Sequence, residues 1–137
     1  MELHYVDTNV FLRFLTVDIP EKARAAERLF TKAVNGEIKL ITSEVTIAEL
    51  VWTLEKYYKL SRYHIREIIE GILSTSNLEI TNSDMIQAAI EIYESQNVDY
   101  IDGYTIAFMR QTGVKKIFSF DRKHFQRFRD ISCLSLS

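Results

Sequence analysis

The stretch that decides the fold is Leu3-His4-Tyr5-Val6-Asp7-Thr8-Asn9-Val10-Phe11-Leu12-Arg13-Phe14-Leu15. Leu3 to Val6 reads as a short apolar strand, and it ends on three polar residues, Asp7, Thr8 and Asn9. Val10, Phe11, Phe14 and Leu15 then recur at helical spacing. A strand running through a polar turn into an amphipathic helix is the first half of a strand–helix–strand unit, and the rest of the chain repeats that alternation.

Pro20 suits the first turn of a second helix, where a missing N–H costs nothing. That helix carries Ala23, Ala26, Leu29, Phe30 and Val34, and it stops at Asn35-Gly36. Lys39 to Ile41 reads as a second strand, Leu78 to Ile80 as a third, Lys116 to Phe120 as a fourth and Ile131 to Leu134 as a fifth. Ser43 is placed to cap a helix from Val45 to Lys59, Ser61 one from Tyr63 to Leu73, and Ser83 one from Met85 to Ser95. Asp99 heads a helix from Ile101 to Gln111, which Gly113 ends. Strands that keep alternating with helices predict a three-layer α/β/α sandwich with a mainly parallel central sheet. No repeat or linker divides the chain, so residues 1–137 read as one domain.

Composition agrees. A chain of 137 residues that is 47% hydrophobic can build a core, and at this length about two-thirds of the unfolded surface is buried. Four glycines and one proline leave no room for a low-complexity arm. Cys133 has no partner cysteine, which excludes an internal disulfide and reads as a small buried apolar residue in a reducing compartment. Met1-Glu2-Leu3-His4 lacks the character of a secretory leader, and no apolar run approaches the ~20 residues of a membrane span. The expectation is a cytoplasmic protein without a membrane partner.

In parallel sheets the ligand site lies beyond the carboxyl ends of the strands. Asp7 follows the first strand and Asp121 follows Phe118-Ser119-Phe120. Each also has a plain structural use, as a helix cap or a turn residue. Asp102 is harder to dismiss, because it shares a helical stripe with Ile106 and Met109. A carboxylate turned toward a core is costly unless something pairs with it. Asp99, three residues earlier, suits an N-cap. Glu49 lies nearly opposite the apolar stripe Ile47, Leu50, Val51, Leu54 and Tyr58, which reads as a solvated face. Val45 and Trp52 flank it, however, so its helix is also open to burial on two sides. Carboxylates crowded together repel unless a cation neutralises them. With no second cysteine and no paired histidine, oxygen ligands favour Mg²⁺ or Mn²⁺ over Zn²⁺. Such an ion activates water and stabilises charge on a phosphodiester.

Four fragments in order resemble the PIN-domain ribonucleases, and specifically the VapC-like toxins of toxin–antitoxin pairs. They are Tyr5-Val6-Asp7-Thr8-Asn9-Val10-Phe11-Leu12-Arg13, Ser43-Glu44-Val45-Thr46-Ile47-Ala48-Glu49-Leu50, Asp99-Tyr100-Ile101-Asp102-Gly103 and Ser119-Phe120-Asp121-Arg122-Lys123-His124-Phe125. The resemblance implies a metal-dependent endoribonuclease, often a homodimer, blocked by a cognate antitoxin protein. It makes Asp7, Glu49, Asp102 and Asp121 the catalytic metal-site acids, with Asp99 an accessory acid. Thr8, Asn9 and Ser119 match polar positions that steady the site. For Glu49 the resemblance and the helical period disagree. Gly103 stands where Ala is common, and Ser119 where Thr is common; neither departure removes an acid.

Other classes fit less well. A receiver-like signalling domain wants an acidic pair after its first strand, and a haloacid-dehalogenase phosphatase wants a second Asp where Asn9 stands. A PIN-like module that only binds RNA or protein has no such conflict. Neither a glycine-rich phosphate loop nor a G-x-S-x-G elbow is present. The formal charge of −2 argues against nucleic acid until the four proposed ligands are set aside, which leaves the remaining chain at +2. Between Arg110 and Arg129 seven Lys and Arg residues face one acid, Asp121. Arg13, Arg122, Lys123 and His124 are the residues expected to meet RNA; His4 and His64 read as structural or surface residues. Trp52, Tyr57 and Tyr58 read as packing or interface residues, and spare apolar faces in the N-terminal half suit a dimer or an antitoxin.

Overall fold

The computed structural model describes residues 1–136, which alternate strands and helices and gather into two compact units. The first runs from Met1 to Gln87 and the second begins at Ala88.

In the first unit β1 (Leu3–Tyr5), β2 (Lys39–Thr42) and β3 (Leu78–Ile80) form a parallel sheet in the order β1-β2-β3. Leu3 lies opposite Lys39, and Leu40 opposite Leu78. Parallel neighbours cannot be joined by a tight turn, so each connection is a helical crossover. Helices α1 (Thr8–Thr16) and α2 (Pro20–Val34) make the first, and α3 (Glu44–Lys56) and α4 (Arg62–Leu73) the second. Their inward stripes supply the core: Ile47, Leu50 and Leu54 from α3 and Ile65 and Ile69 from α4 are wholly buried. Each such side chain stabilises the fold by about 1.5–3 kcal/mol relative to an exposed one. Phe30 of α2 packs against both Phe11 and Phe14 of α1, with centroids 5.3 and 5.2 Å away.

Residue chemistry sets the helix ends. Asp7 caps α1 by accepting from the Val10 N–H, and Ser61 caps α4 by accepting from the His64 N–H. Pro20 is the first residue of α2, and Gly36 beyond its end adopts φ +80°, a left-handed conformation that glycine takes without strain. Ser43 occupies the cap position of α3, but its hydroxyl pairs with the Tyr5 hydroxyl at 2.6 Å instead of capping the helix. Helix α3 stops at Lys56, short of Lys59, where the Tyr58 N–H reaches back five residues to the Thr53 carbonyl and Lys59 turns left-handed at φ +58°.

Helix α5 (Ser83–Ser95) carries the chain into the second unit, which holds α6 (Tyr100–Thr112), β4 (Lys116–Phe118), α7 (Arg122–Phe125) and β5 (Ser132–Leu134). Ser83 is itself helical rather than a cap, and Asn82 before it has φ +54°. Strands β4 and β5 pair in parallel, with Ile117 opposite Cys133. Among the described residues the five strands therefore pair in a three-stranded and a two-stranded sheet, parallel throughout. Strand β4 ends two residues before Phe120, which is 89% exposed, and the turn into α7 begins there. Cys133 is half-buried, not fully buried, with Sγ 3.7 Å from the Ser119 carbonyl.

The tightest fit in this unit is at Gly103. A Cβ there would stand 2.9 Å from the Ala89 carbonyl oxygen and 3.3 Å from the Tyr93 nitrogen, so α6 rests against the backbone of α5 itself. Tyr93 and Tyr100 meet edge to face beside this contact, with centroids 6.2 Å apart.

Candidate metal centre

The second unit brings Asp102, Asp121 and His124 together. One donor atom from each lies within 4.8 Å of the others. Asp102 stands in the first turn of α6 and is half-buried, on the stripe it shares with the buried Ile106 and Met109. The inward turn expected from the helical period is what the helix adopts. Asp121 enters from the turn after β4, where the Ser119 hydroxyl accepts its backbone N–H at 2.9 Å. His124 follows one helical turn later on α7. Its Nδ1 lies 2.8 Å from Asp121 Oδ2 and 3.1 Å from Asp102 Oδ2.

His124 is the residue that sequence reasoning put in another role. Its basic neighbours suggested an RNA contact, and its isolation from other histidines suggested a ligand set of oxygens alone. The three-residue step from Asp121 to His124, one turn of a helix, was the available signal. Two carboxylates and an imidazole remain a fitting donor set for a divalent cation, since each offers a lone pair and the carboxylates supply compensating charge.

In the first unit Asp7 stands at the carboxyl end of β1, capping α1, and is exposed. Thr8, the next residue, donates its hydroxyl to Glu49 Oε1 at 3.4 Å. Glu49 is exposed, as the helical period of α3 requires, yet it faces the end of β1. Burial of α3 on two sides does not occur: Val45 and Trp52 are 69% and 63% exposed. One core stripe is all that this helix buries.

Tyr5 ties β1 to the start of α3. Its hydroxyl meets the hydroxyls of Ser43 at 2.6 Å and Thr46 at 2.9 Å, and these bonds, Ser43 first, hold the phenol below its ordinary pKa. The buried Thr42 hydroxyl donates from the end of β2 to the carbonyl of Val6, the residue after β1. These contacts hold the segment carrying Asp7, Thr8 and the exposed Asn9 against the segment carrying Glu49. Asp99 occupies the cap position of α6.

The expected RNA-contacting residues have structural partners as well. Arg13 pairs with Asp18 at 2.8 Å. Arg122 reaches the Ser135 hydroxyl, and Lys123 is exposed. Tyr58 donates to Asp18 at 3.0 Å and its ring meets that of Tyr57 edge to face, with centroids 4.9 Å apart, whereas Trp52 stands largely in solvent.

The PIN domain family matches residues 4–131, and the chain belongs to that family. Among curated proteins it is similar to a VapC ribonuclease of Aquifex aeolicus (strain VF5), with 31% identity over 118 residues, 86% of this chain and 87% of that one. Among solved structures it matches Mycobacterium tuberculosis VapC20, described as a sarcin-ricin loop cleaving toxin. That match has a TM-score of 0.38 and 15% identity, and covers 93% of this chain and 95% of the other; a score of that size adds no weight to the assignment.

Proposed function

We propose that this chain is a divalent-metal-dependent endoribonuclease that hydrolyses RNA phosphodiester bonds, as the toxin of a toxin–antitoxin pair. The observation that carries the reading is the Asp102–Asp121–His124 cluster in a member of the PIN domain family. The similarity to a VapC ribonuclease over most of both chains supports the substrate class.

Asp102 and Asp121 would hold the cation, Mg²⁺ or Mn²⁺. When bound, that ion supplies positive charge for the scissile phosphate and lowers the pKa of water. Helix α6 carries Asp102, the Ser119 hydroxyl holds the Asp121 backbone, and both carboxylates meet His124 Nδ1. Asp7 and Glu49 would be further catalytic acids, with Glu49 orienting the attacking water. Thr8 steadies Glu49 through its hydroxyl, Asn9 would be a supporting polar residue, and Asp99 an accessory acid. Water adds to phosphorus as the ribose 3′ oxygen leaves, giving 5′-phosphate and 3′-hydroxyl ends. Arg13, Arg122 and Lys123 would contact the RNA.

For the protein partners the support is apolar surface. A groove of about 370 Å³ in the first unit is lined by Phe11, Phe14, Leu15, Phe30, Val34 and Leu78, among others, and suits an apolar segment of an antitoxin. The exposed Val45 and Trp52 suit a second copy of the chain in a homodimer. The whole chain acts as one domain in the cytoplasm; among the described residues no helix is long and apolar enough to cross a membrane.

The test is cleavage of RNA in Mg²⁺ or Mn²⁺ against EDTA, with analysis of the new ends. Metal-dependent cutting that leaves 5′-phosphates, lost in Asp102→Asn while circular dichroism is unchanged, supports the reading. Cutting that persists in EDTA contradicts it.

A further inference from the structure

We infer that His124 is itself a metal ligand, through Nδ1, and that this nitrogen donor makes the site prefer Mn²⁺ to Mg²⁺. The inference rests on the metal-dependent reading above and sharpens it to the choice of ion.

The geometry singles out one ring nitrogen. Nδ1 stands 2.8 Å from Asp121 Oδ2 and 3.1 Å from Asp102 Oδ2. A ring nitrogen carries at most one proton, and one proton cannot serve two carboxylates at full strength. A cation shared by the nitrogen and both oxygens satisfies all three. Metal–donor bonds of about 2.1 Å in an octahedron set neighbouring donors about 3 Å apart, close to the two separations Nδ1 already has. The His124 side chain is 39% exposed, so an ion has access to it from solvent.

The chemistry then selects the ion. Mg²⁺ holds oxygen ligands and keeps its waters, and an imidazole in its shell gains it little. Mn²⁺ accepts the same octahedral oxygen sites but also takes imidazole nitrogen. An all-carboxylate site has no such bias. His124 supplies one, and it comes from the same helical turn that positions Asp121.

The experiment is Mn²⁺ binding to the whole protein without RNA, followed by electron paramagnetic resonance, with Mg²⁺ as competitor and electron spin-echo modulation to detect a bound nitrogen. Wild-type protein should show imidazole ¹⁴N modulation. His124→Ala should lose that modulation and bind Mn²⁺ about tenfold or more weakly, since losing even an outer-shell partner costs that much. His124→Gln, which keeps an oxygen donor, should bind Mn²⁺ without the nitrogen signal and lose the preference over Mg²⁺. Bound Mn²⁺ with no nitrogen modulation in the wild type, or modulation that survives in His124→Ala, overturns the ligation by His124 and leaves the nuclease reading standing. No Mn²⁺ binding at all overturns both.

Discussion

Asp18 gathers three donors where α1 ends: the Thr16 hydroxyl, the Tyr58 hydroxyl and the Arg13 guanidinium. Together they hold its carboxyl below the ordinary carboxylate range, with the Thr16 bond the largest cause. Asp130 is held low in the same sense by the Arg110 guanidinium, which reaches both its oxygens at 2.8 and 3.1 Å. A carboxyl whose pKa is lower in the folded state adds stability above its unfolded pKa, and that contribution is lost as pH falls through the folded value. Asp18→Asn and Asp130→Asn should therefore lower stability at neutral pH and flatten its decline below about pH 4. Urea unfolding from pH 7 down to the acid range reads this directly; an unchanged acid slope in both variants would contradict it. At this scale the sequence was partly legible. The half-buried position of Asp102 was readable because a carboxylate on an apolar stripe needs a reason, and the strand-end positions of Asp7 and Asp121 because they follow apolar runs. His124 was so only in part: its step of one helical turn from Asp121 is local, but its other partner is a carboxylate 22 residues away that no local pattern connects to it. Glu49 was ambiguous for a related reason: the period of α3 describes one helix, whereas its neighbour Thr8 comes from another.

Among the elements, α6 depends most on a single residue. Gly103 has no room for a methyl group against the α5 backbone, because a carbonyl oxygen and an amide nitrogen cannot swing aside as a side chain can. Gly103→Ala should therefore destabilise the protein by about 1–3 kcal/mol, the usual cost of overpacking, and shift the helix that carries Asp102. Thermal unfolding checks the first part, and weaker Mn²⁺ binding by the folded variant checks the second. The helix propensity of Ala works in the opposite direction, so a more stable Gly103→Ala would refute the close packing. Ser61→Ala should cost about 1 kcal/mol through loss of the α4 cap, while the cap-position Ser43, whose hydroxyl serves Tyr5, should instead affect the tie between β1 and α3. Strands and helices were legible in order and type because their apolar periods are clean. Their ends were less so: Ser43 and Ser83 look like caps in sequence, but the hydroxyl of one is drawn to a residue 38 positions away and the other joins its helix.

For the whole molecule, charge balance is the property most easily misread. The excess of acids is small and includes the proposed ligands, while seven basic residues lie between Arg110 and Arg129. Some of that basic character is already engaged. Asp130, one position beyond the stretch, takes Arg110, and Arg127 reaches the Gln96 carbonyl. Exposed Lys116 and Lys123 remain turned to solvent beside the turn that carries Asp121. If they meet RNA phosphates, Lys123→Gln should weaken binding of a catalytically silent Asp102→Asn protein and reduce the salt slope of affinity by about 0.7, one phosphate's worth on a single strand. An unchanged slope would assign Lys123 to a merely solvated face. The acidic site is tested most sharply by the rate of RNA cleavage in Mg²⁺ by the wild type and by Asp7→Asn, Glu49→Gln and Asp121→Asn, each shown folded by circular dichroism. The wild type should cleave in a metal-dependent manner, and all three variants should lose that activity. Asp7→Asn or Asp121→Asn cutting at the wild-type rate would contradict this.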